Sequence, residues 1–139
     1  MTGNKILIIE DNALNLELAT VLLEKNGFVV ASTQTAEEGL RLARELSPDL
    51  VLMDFSLPGM DGLSATRKLK ADPATCHLAV VGLSANAMKG DQENALNAGC
   101  DGYLTKPIDT RTFAETVKNF INGRFIKTQN IPLEKNYAE

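Results

Sequence analysis

The sequence lacks the features that mark several large classes of protein. Two of its 139 residues are cysteine. Two are too few for a disulfide framework, and the spacing of Cys76 and Cys100 suits no zinc site. The net charge is -4, so there is no basic surface for nucleic acid or for an anionic membrane. No apolar run approaches the length of a membrane span, and the amino terminus MTGNKILIIE turns acidic too early for a signal peptide.

The composition is typical of a globular domain. Apolar residues make up 44% of the chain and charged residues 23%, which argues against a disordered protein. The length allows one domain with a real core and not two of ordinary size. We expect a cytoplasmic domain over residues 1–123, followed by a mixed polar tail at 124–139 that is too short to be an output domain.

Two kinds of segment alternate along the chain. Short apolar runs predict strands at 5–9, 28–32, 50–53, 79–83 and 102–105. Helical patterns lie at 12–26, after Thr35 with a capping box to Glu38, after Gly62, at about 86–98 and from near Asp109. Strict alternation predicts an α/β fold, a five-stranded parallel sheet with helices on both faces. The usual strand order for five such units is 2-1-3-4-5, with the functional crevice at the carboxyl ends of strands 1 and 3.

Polar residues collect at those carboxyl ends. Three are acidic, and the others are a hydroxyl and a lysine: Glu10 and Asp11, Asp54, Ser84, and Lys106. Carboxylates brought close together repel one another, and an oxygen-only acidic site favours Mg²⁺ or Mn²⁺. With the lysine and the hydroxyl added, the cluster looks like a cradle for a phosphoryl group. The alternative is that acidic residues after strands simply cap the next helix, a role that suits Asp11 and Asn12.

Four motifs resemble a known family. They are LIIEDN, LVLMDFSLPGMDG, VVGLSA and GYLTKP, and over residues 4–122 the chain resembles the receiver domains of two-component response regulators, which have a flavodoxin-like fold. Within that family it is most similar to single-domain regulators of the DivK type, to the chemotaxis regulator and to the receivers of hybrid kinases.

The resemblance implies a role for each residue of the cluster. Asp54 would accept a phosphoryl group from a phosphohistidine on a histidine kinase or a histidine phosphotransfer protein. Mg²⁺ would be held by Glu10, Asp11, Asp54 and the backbone carbonyl of Ser56. Ser84 and Lys106 would bind phosphoryl oxygens, and Ser84 with Tyr103 would form the switch that a downstream effector protein reads. Ser56 and Asn86 would flank the water that removes the phosphoryl group, and the Lys106–Pro107 bond would be cis.

Three other interpretations compete with this one. A flavin mononucleotide protein of this fold needs a Ser/Thr/Gly-rich loop after strand 1, where this chain has carboxylates. A phosphatase of the haloacid dehalogenase type has a second Asp two residues after its nucleophile, where this chain has Ser56. The third is that the chain is a receiver excised from a hybrid histidine kinase or phosphorelay protein. A start at Met1 and a tail without linker character lead us to expect the single-domain regulator over this one, and the native chain length would decide between them.

The residues of the first helix form two stripes. Residues 15, 19, 22, 23 and 26 form one stripe, which we assign to the core. The second stripe, Leu14, Leu18 and Val21, starts beside Asp11 and is more apolar surface than one buried face needs. We predict that the phosphohistidine partner docks there. The alternative is that the rest of the fold covers this stripe. For output we predict the surface of helix 4, strand 5 and helix 5.

Overall fold

A computed structural model describes residues 4–57, 59–84 and 89–122. Strands and helices alternate along these residues. The strands are β1 (Lys5–Ile9), β2 (Val29–Thr33), β3 (Leu50–Asp54), β4 (Ala79–Ser84) and β5 (Gly102–Thr105). The helices are α1 (Ala13–Lys25), α2 (Ala36–Leu46), α3 (Gly62–Ala71), α4 (Lys89–Ala98) and α5 (Phe113–Ile121). Within these residues, no helix is long and apolar enough to cross a membrane.

The strands form one parallel sheet in the order β2-β1-β3-β4-β5, which confirms the predicted topology. Both neighbours of β1 run parallel to it, so Ile8 pairs with Ser32 on one side and with Leu52 on the other. Because every strand points the same way, the residues that follow β1, β3, β4 and β5 meet at one edge of the sheet.

The core is split by the sheet into two layers. In β3, Val51 and Met53 face one apolar cluster, and Leu50 and Leu52 face the other. All four side chains are fully buried. A strand that is covered on both faces has a continuous run of apolar residues, and such a run predicted a central strand here.

Side-chain caps fix where the helices begin. Asn12 accepts a hydrogen bond from the Asn15 N–H at 2.9 Å at the start of α1, and Asp61 accepts one from the Ser64 N–H at 2.8 Å at the start of α3. At α2 the Thr35 hydroxyl accepts from the Glu38 N–H at 3.3 Å. Only this half of the predicted capping box is present, because the Glu38 carboxylate binds Arg41 instead.

The core stripe predicted for α1 is partly wrong. Ala19 and Leu23 are buried and Leu22 packs against their cluster, but Asn15 and Asn26 are exposed. The two asparagines lie at opposite ends of the helix, where a polar side chain gains more from water and the helix terminus than from the core. Asn26 caps the carboxyl end and its side-chain amide donates to the Leu22 carbonyl at 2.8 Å.

Two predicted boundaries also shift. β2 starts at Val29 because Gly27, with a φ of 90°, ends α1, and Phe28 then packs into the core beside it. α5 starts at Phe113 and not at Asp109. The carboxylate of Asp109 accepts from the Arg111 N–H at 3.0 Å, which makes a turn before the helix.

Candidate phosphoacceptor site

Asp54 ends β3 and is fully buried. Its Oδ1 accepts two hydrogen bonds from Ser56, at 3.0 Å from the backbone N–H and at 2.9 Å from the hydroxyl. Its Oδ2 accepts no hydrogen bond from the described residues and has Lys106 Nζ at 3.2 Å as an ion-pair partner. A buried oxygen in this condition is costly unless a further positive group binds it.

Lys106 lies between two buried carboxylates. Glu10, at the end of β1, is only 2% exposed, and its Oε1 lies 2.9 Å from Lys106 Nζ. Its Oε2 accepts from the Asn12 N–H at 3.1 Å. The residue that follows β5 is therefore held against the residues that end β1 and β3, as the sheet order requires.

The pKa values of the two carboxyl groups shift in opposite directions. Burial raises the pKa of the Glu10 carboxyl, and the hydrogen bonds from Lys106 and Asn12 offset this only in part. Burial acts on Asp54 in the same sense, but the hydrogen bonds from Ser56, the neighbouring Glu10 carboxyl and the Lys106 ammonium together hold the pKa of Asp54 below its ordinary value. Burial lowers the pKa of Lys106, and its two acidic partners more than reverse this. The surroundings therefore favour the ionised form of Asp54, whereas burial makes Glu10 harder to ionise than an ordinary glutamate.

The site has the ligands of a hard divalent cation. Glu10, Asp11 and Asp54 can each offer one carboxylate oxygen, and these oxygens all lie within 4.8 Å of one another. Asp11 is exposed, so the cluster opens to solvent on its side. Oxygen ligands without imidazole or thiolate suit Mg²⁺. The unsatisfied Asp54 Oδ2 is the observation that makes the fit specific.

The remaining predicted site residues are placed as follows. Ser84 ends β4, is 4% exposed, and its carbonyl accepts from the Lys106 N–H at 2.7 Å. Tyr103 is half-buried on β5, and the Lys106–Pro107 bond is cis, as predicted. Ser56 lies against Asp54 through its N–H and hydroxyl, so metal binding by its carbonyl stays a prediction. Asn86 and the tail lie outside the described residues.

The second stripe of α1 faces solvent. Leu14 is 77% exposed, Leu18 41% and Val21 46%. Beside it a largely apolar cavity of about 240 Å³ runs from Leu18 and Ala19 across to Ile108, and its walls include Glu10 and Lys106. The described part of the fold therefore leaves the stripe uncovered and places an apolar cavity between it and the buried ion pair.

Two glycines support the site and were missed in the sequence. A Cβ at Gly62 would lie 2.2 Å from the Asp54 carbonyl oxygen, and a Cβ at Gly82 would lie 2.0 Å from Cζ of Phe55. Only glycine allows such close approaches. Gly82 interrupts the apolar run AVVGL, and an isolated glycine inside a strand is the signal that could have found it.

A doubly wound sheet with a buried carboxylate, an acidic cluster and a lysine at its carboxyl edge defines a phosphoacceptor of the receiver class. Residues 6–118 match the family described as response regulator receiver domain, and the chain belongs to that family. Receiver domains bind Mg²⁺ in their acidic site and interact with histidine kinases or phosphotransfer proteins and with effectors. The protein is a receiver of two-component signalling, of the DivK-like kind.

The relatives agree in class. The polar-differentiation response regulator DivK of Brucella ovis is 43% identical over 116 residues, which cover 84% of this chain and 94% of that protein. A receiver domain of a sensor histidine kinase from Pseudomonas aeruginosa has a TM-score of 0.80 and 34% identity, covers 87% of this chain and 99% of that chain, and was solved with a magnesium ion in its active-site cleft. A response regulator structure from Chloroflexus aurantiacus has a TM-score of 0.82 at 26% identity, with 87% and 99% covered.

Proposed function

We propose that Asp54 is the residue that receives the phosphoryl group. The observation that carries this assignment is its buried carboxylate, ionised by its surroundings, with one oxygen held by Ser56 and the other facing Lys106. A carboxylate oxygen of Asp54 attacks phosphorus of a phosphohistidine and a P–O bond forms. The P–N bond breaks, and its electron pair leaves with the imidazole nitrogen.

Lys106 and Ser84 stabilise the transferred group. The Lys106 ammonium, already within 3.2 Å of Asp54 Oδ2, neutralises charge on a phosphoryl oxygen, and the Ser84 hydroxyl donates to another. Glu10, Asp11 and Asp54, with the Ser56 carbonyl, would hold Mg²⁺ or Mn²⁺, which supplies further positive charge to the phosphoryl oxygens when bound. When Lys106 binds the phosphoryl group, Glu10 loses part of its ion pair with that lysine, and a bound cation would compensate the Glu10 charge.

The product is an acyl phosphate that water hydrolyses in the same site, with Ser56 and Asn86 beside its approach. The protein is in this sense a phosphoacceptor that assists its own phosphorylation and dephosphorylation, and not an enzyme acting on a separate substrate. We place it in the cytoplasm, where histidine kinases present their phosphohistidines.

The donor docks on α1. A phosphohistidine must come within bonding distance of Asp54, and the exposed stripe of Leu14, Leu18 and Val21 flanks the open side of the site. The neighbouring cavity, walled by apolar side chains and by Lys106, accepts an apolar side chain of the donor. A helical donor, either a histidine kinase or a histidine phosphotransfer protein, presents such side chains along one face.

The signal leaves through a change of surface. Ser84 moves to hydrogen-bond the phosphoryl group, and Tyr103 turns inward into the space that it vacates. An effector that binds the surface of α4, β5 and α5 then gains differential free energy between the two states, typically about 1–3 kcal/mol.

Replacing the acceptor tests the proposal directly. Asp54→Asn should abolish labelling by a small phosphodonor such as acetyl phosphate or by a panel of phosphorylated histidine kinases, with the far-UV circular dichroism spectrum unchanged. Asp61→Asn is the matched control, because asparagine also caps a helix and Asp61 lies at the start of α3. Undiminished labelling of Asp54→Asn, or equal loss in the control, would reject Asp54 as the acceptor.

The choice between a single-domain regulator and a receiver from a hybrid kinase follows from the relatives. Those at 43% identity are response regulators matched over 94% of their length. The kinase receiver from Pseudomonas aeruginosa is 34% identical. The single-domain interpretation is therefore favoured, and the same panel of kinases identifies the donor in either case.

A further inference from the structure

An aromatic ring occupies the place where Gly82 would carry a side chain. A Cβ on Gly82 would lie 2.0 Å from Cζ, 2.4 Å from Cε1 and 2.8 Å from Cε2 of Phe55. Real Cβ atoms do not come so close to a ring, so Phe55 fits here only because residue 82 is glycine. We call this space the Gly82 slot.

Phe55 is joined to the site through its backbone. It follows Asp54 directly, and its N–H donates to the Leu83 carbonyl at 3.0 Å. This bond extends the β3–β4 ladder one residue past the pairing of Asp54 with Leu83. The next position of β4 is Ser84, so the backbone of Phe55 is bonded to the residue that directly precedes the one assigned to the switch.

Tyr103 lies on the other side of the slot. The β4–β5 register pairs Gly82 with Tyr103, and neighbouring strands are only about 4.8 Å apart. Paired residues point to the same face of a sheet, and both Phe55 and Tyr103 pack against the same apolar cluster. An inward turn of the tyrosine therefore takes place against the ring of Phe55.

We propose that Phe55 is a positioning residue of the switch: its ring in the Gly82 slot sets how far Tyr103 turns inward, and so couples Asp54 to the output surface. The inference rests on the proposed function, since it concerns the same switch. The ring must shift or tilt when Tyr103 enters, and aromatic pairs favour a few offset or edge-to-face arrangements over intermediate ones. This gives the switch two discrete states.

The test observes Tyr103 by ¹⁹F NMR. The chain has two tyrosines, so 3-fluorotyrosine in a Tyr137→Phe background labels Tyr103 alone. Spectra are compared with Mg²⁺ alone and with Mg²⁺ plus beryllofluoride, a mimic of the phosphoryl group. In this background, with Phe55 and Gly82 intact, the resonance should move on adding beryllofluoride.

Two substitutions should act in opposite directions. Phe55→Ala empties the slot, so the Tyr103 resonance with Mg²⁺ alone should already move toward its beryllofluoride position. The effect of beryllofluoride on the inward-to-outward ratio should then fall by about fivefold or more. Gly82→Ala forces the ring out of the slot toward Tyr103 and should hold the resonance at its Mg²⁺-only position in both conditions. Leu40→Ala is the control, because it removes a side chain from the same cluster but on α2.

The outcomes separate the two proposals. If Phe55→Ala leaves the resonance at its parental position in both conditions, or if Leu40→Ala shifts it equally, Phe55 has no positioning role. Phe55→Leu replaces Phe55→Ala if the alanine variant does not fold. Phosphodonor labelling is measured in parallel: its absence in the parent rejects Asp54 as acceptor, whereas normal labelling with an unresponsive Tyr103 rejects only the coupling.

Discussion

At the scale of single residues, the site is built from groups that would each be unfavourable alone. Glu10 and Asp54 are buried acids, and Lys106 is the cation between them. Removal of one member leaves the others without compensation, so effects of substitutions here will not add. The pKa shifts record this balance, because burial raises the pKa of Glu10 and its neighbours hold the pKa of Asp54 down.

Glu10→Gln should weaken Mg²⁺ binding and flatten its dependence on pH. The pKa of Glu10 is raised, chiefly by burial, so protons compete with the cation at a higher pH than for an ordinary glutamate. In the wild type, apparent Mg²⁺ affinity should therefore fall as the pH drops through that raised pKa. Isothermal titration with Mg²⁺ across a pH series checks this.

Glutamine cannot take up this proton, so the pH dependence of Mg²⁺ affinity should be weaker in the variant than in the wild type. Glu37→Gln, an exposed acid in the first turn of α2, is the control. Equal pH slopes for the wild type and Glu10→Gln would show that Glu10 is not a ligand.

Gly62→Ala should destabilise the protein and slow its phosphorylation together. The new Cβ would lie 2.2 Å from the carbonyl oxygen of Asp54 and 2.8 Å from Cα of Phe55, which are backbone atoms that cannot turn aside. The start of α3 or the end of β3 has to shift, at a cost of about 1–3 kcal/mol. Urea denaturation and acetyl phosphate labelling measure the two effects. Ala71→Gly, at the exposed end of the same helix, should change stability by a smaller amount and leave labelling unaltered.

At the scale of elements, the sequence predicted the alternation of strands and helices and the residues at the strand ends. Apolar runs such as LVLM are unambiguous, and the residues of the acidic cluster, Ser84 and Lys106 lie at the end of a strand or just after it. The exposure of Asn15 and Asn26 and the late start of α5 were not readable. They depend on hydrogen bonds at helix ends, such as that from Arg111 to Asp109, which compete with the helical pattern.

Hydrophobic periodicity could not predict the Gly82 slot either. Gly82 indicated a close approach but not which group approaches, because the ring belongs to Phe55, which follows β3, and the glycine lies in β4. A contact between two uncharged residues that are far apart in the chain leaves no local pattern in the sequence. The same holds for the Asp54 oxygen that lacks a hydrogen bond, since only the assembled site shows it.

Leu14→Arg should slow phosphotransfer from a phosphorylated histidine kinase without reducing labelling by acetyl phosphate. Leu14 is 77% exposed, so a larger polar side chain costs the fold little, whereas a charge on the docking stripe opposes an apolar contact. A loss of about 1–3 kcal/mol in docking corresponds to a rate lower by about one to two orders of magnitude. Rapid-quench transfer assays at subsaturating donor give the rate.

Val29→Arg is the matched control for this substitution. Val29 is also an exposed large apolar residue, 54% exposed, but it lies on the edge strand β2. Transfer at wild-type rate to Leu14→Arg, or an equal decrease for both variants, would argue against docking on α1.

At the scale of the whole molecule, the two ends of the sheet differ in kind. The carboxyl edge carries the site, and the amino edge is held by a network around Asp101. Its Oδ2 accepts from Lys70 Nζ at 3.1 Å and from the Val80 N–H at 2.8 Å, and Lys70 Nζ also donates to the Leu78 carbonyl at 2.7 Å. These bonds join α3, the start of β4 and the turn that follows α4.

Lys70→Met should loosen α4 at its carboxyl end. The methionine keeps an apolar stem against Gly99 but removes the ammonium, so the unfolding free energy should fall by about 1 kcal/mol for a partly exposed pair. Amide hydrogen exchange at residues 94–101 should become faster. Lys68→Met, an exposed lysine on the same helix, should leave both quantities unchanged. Unchanged exchange in Lys70→Met would mean that the Lys70 ammonium does not hold this end.

The Asp101 network restrains α4 at one end only among the residues described. Its ten residues make a rod about 15 Å long at 1.5 Å per residue. The carboxyl end of α4 is held by hydrogen bonds. The N–H groups of Gly99 and Cys100 donate to the carbonyls of Leu96 and Ala95, and the Asp101 carboxylate accepts from the Val80 N–H of β4. A rod clamped at one end moves by rotation about that end, and its displacement grows with distance from the pivot. In such a rotation the smallest movement would fall at Asp101 and the largest at Lys89, the first residue of the helix.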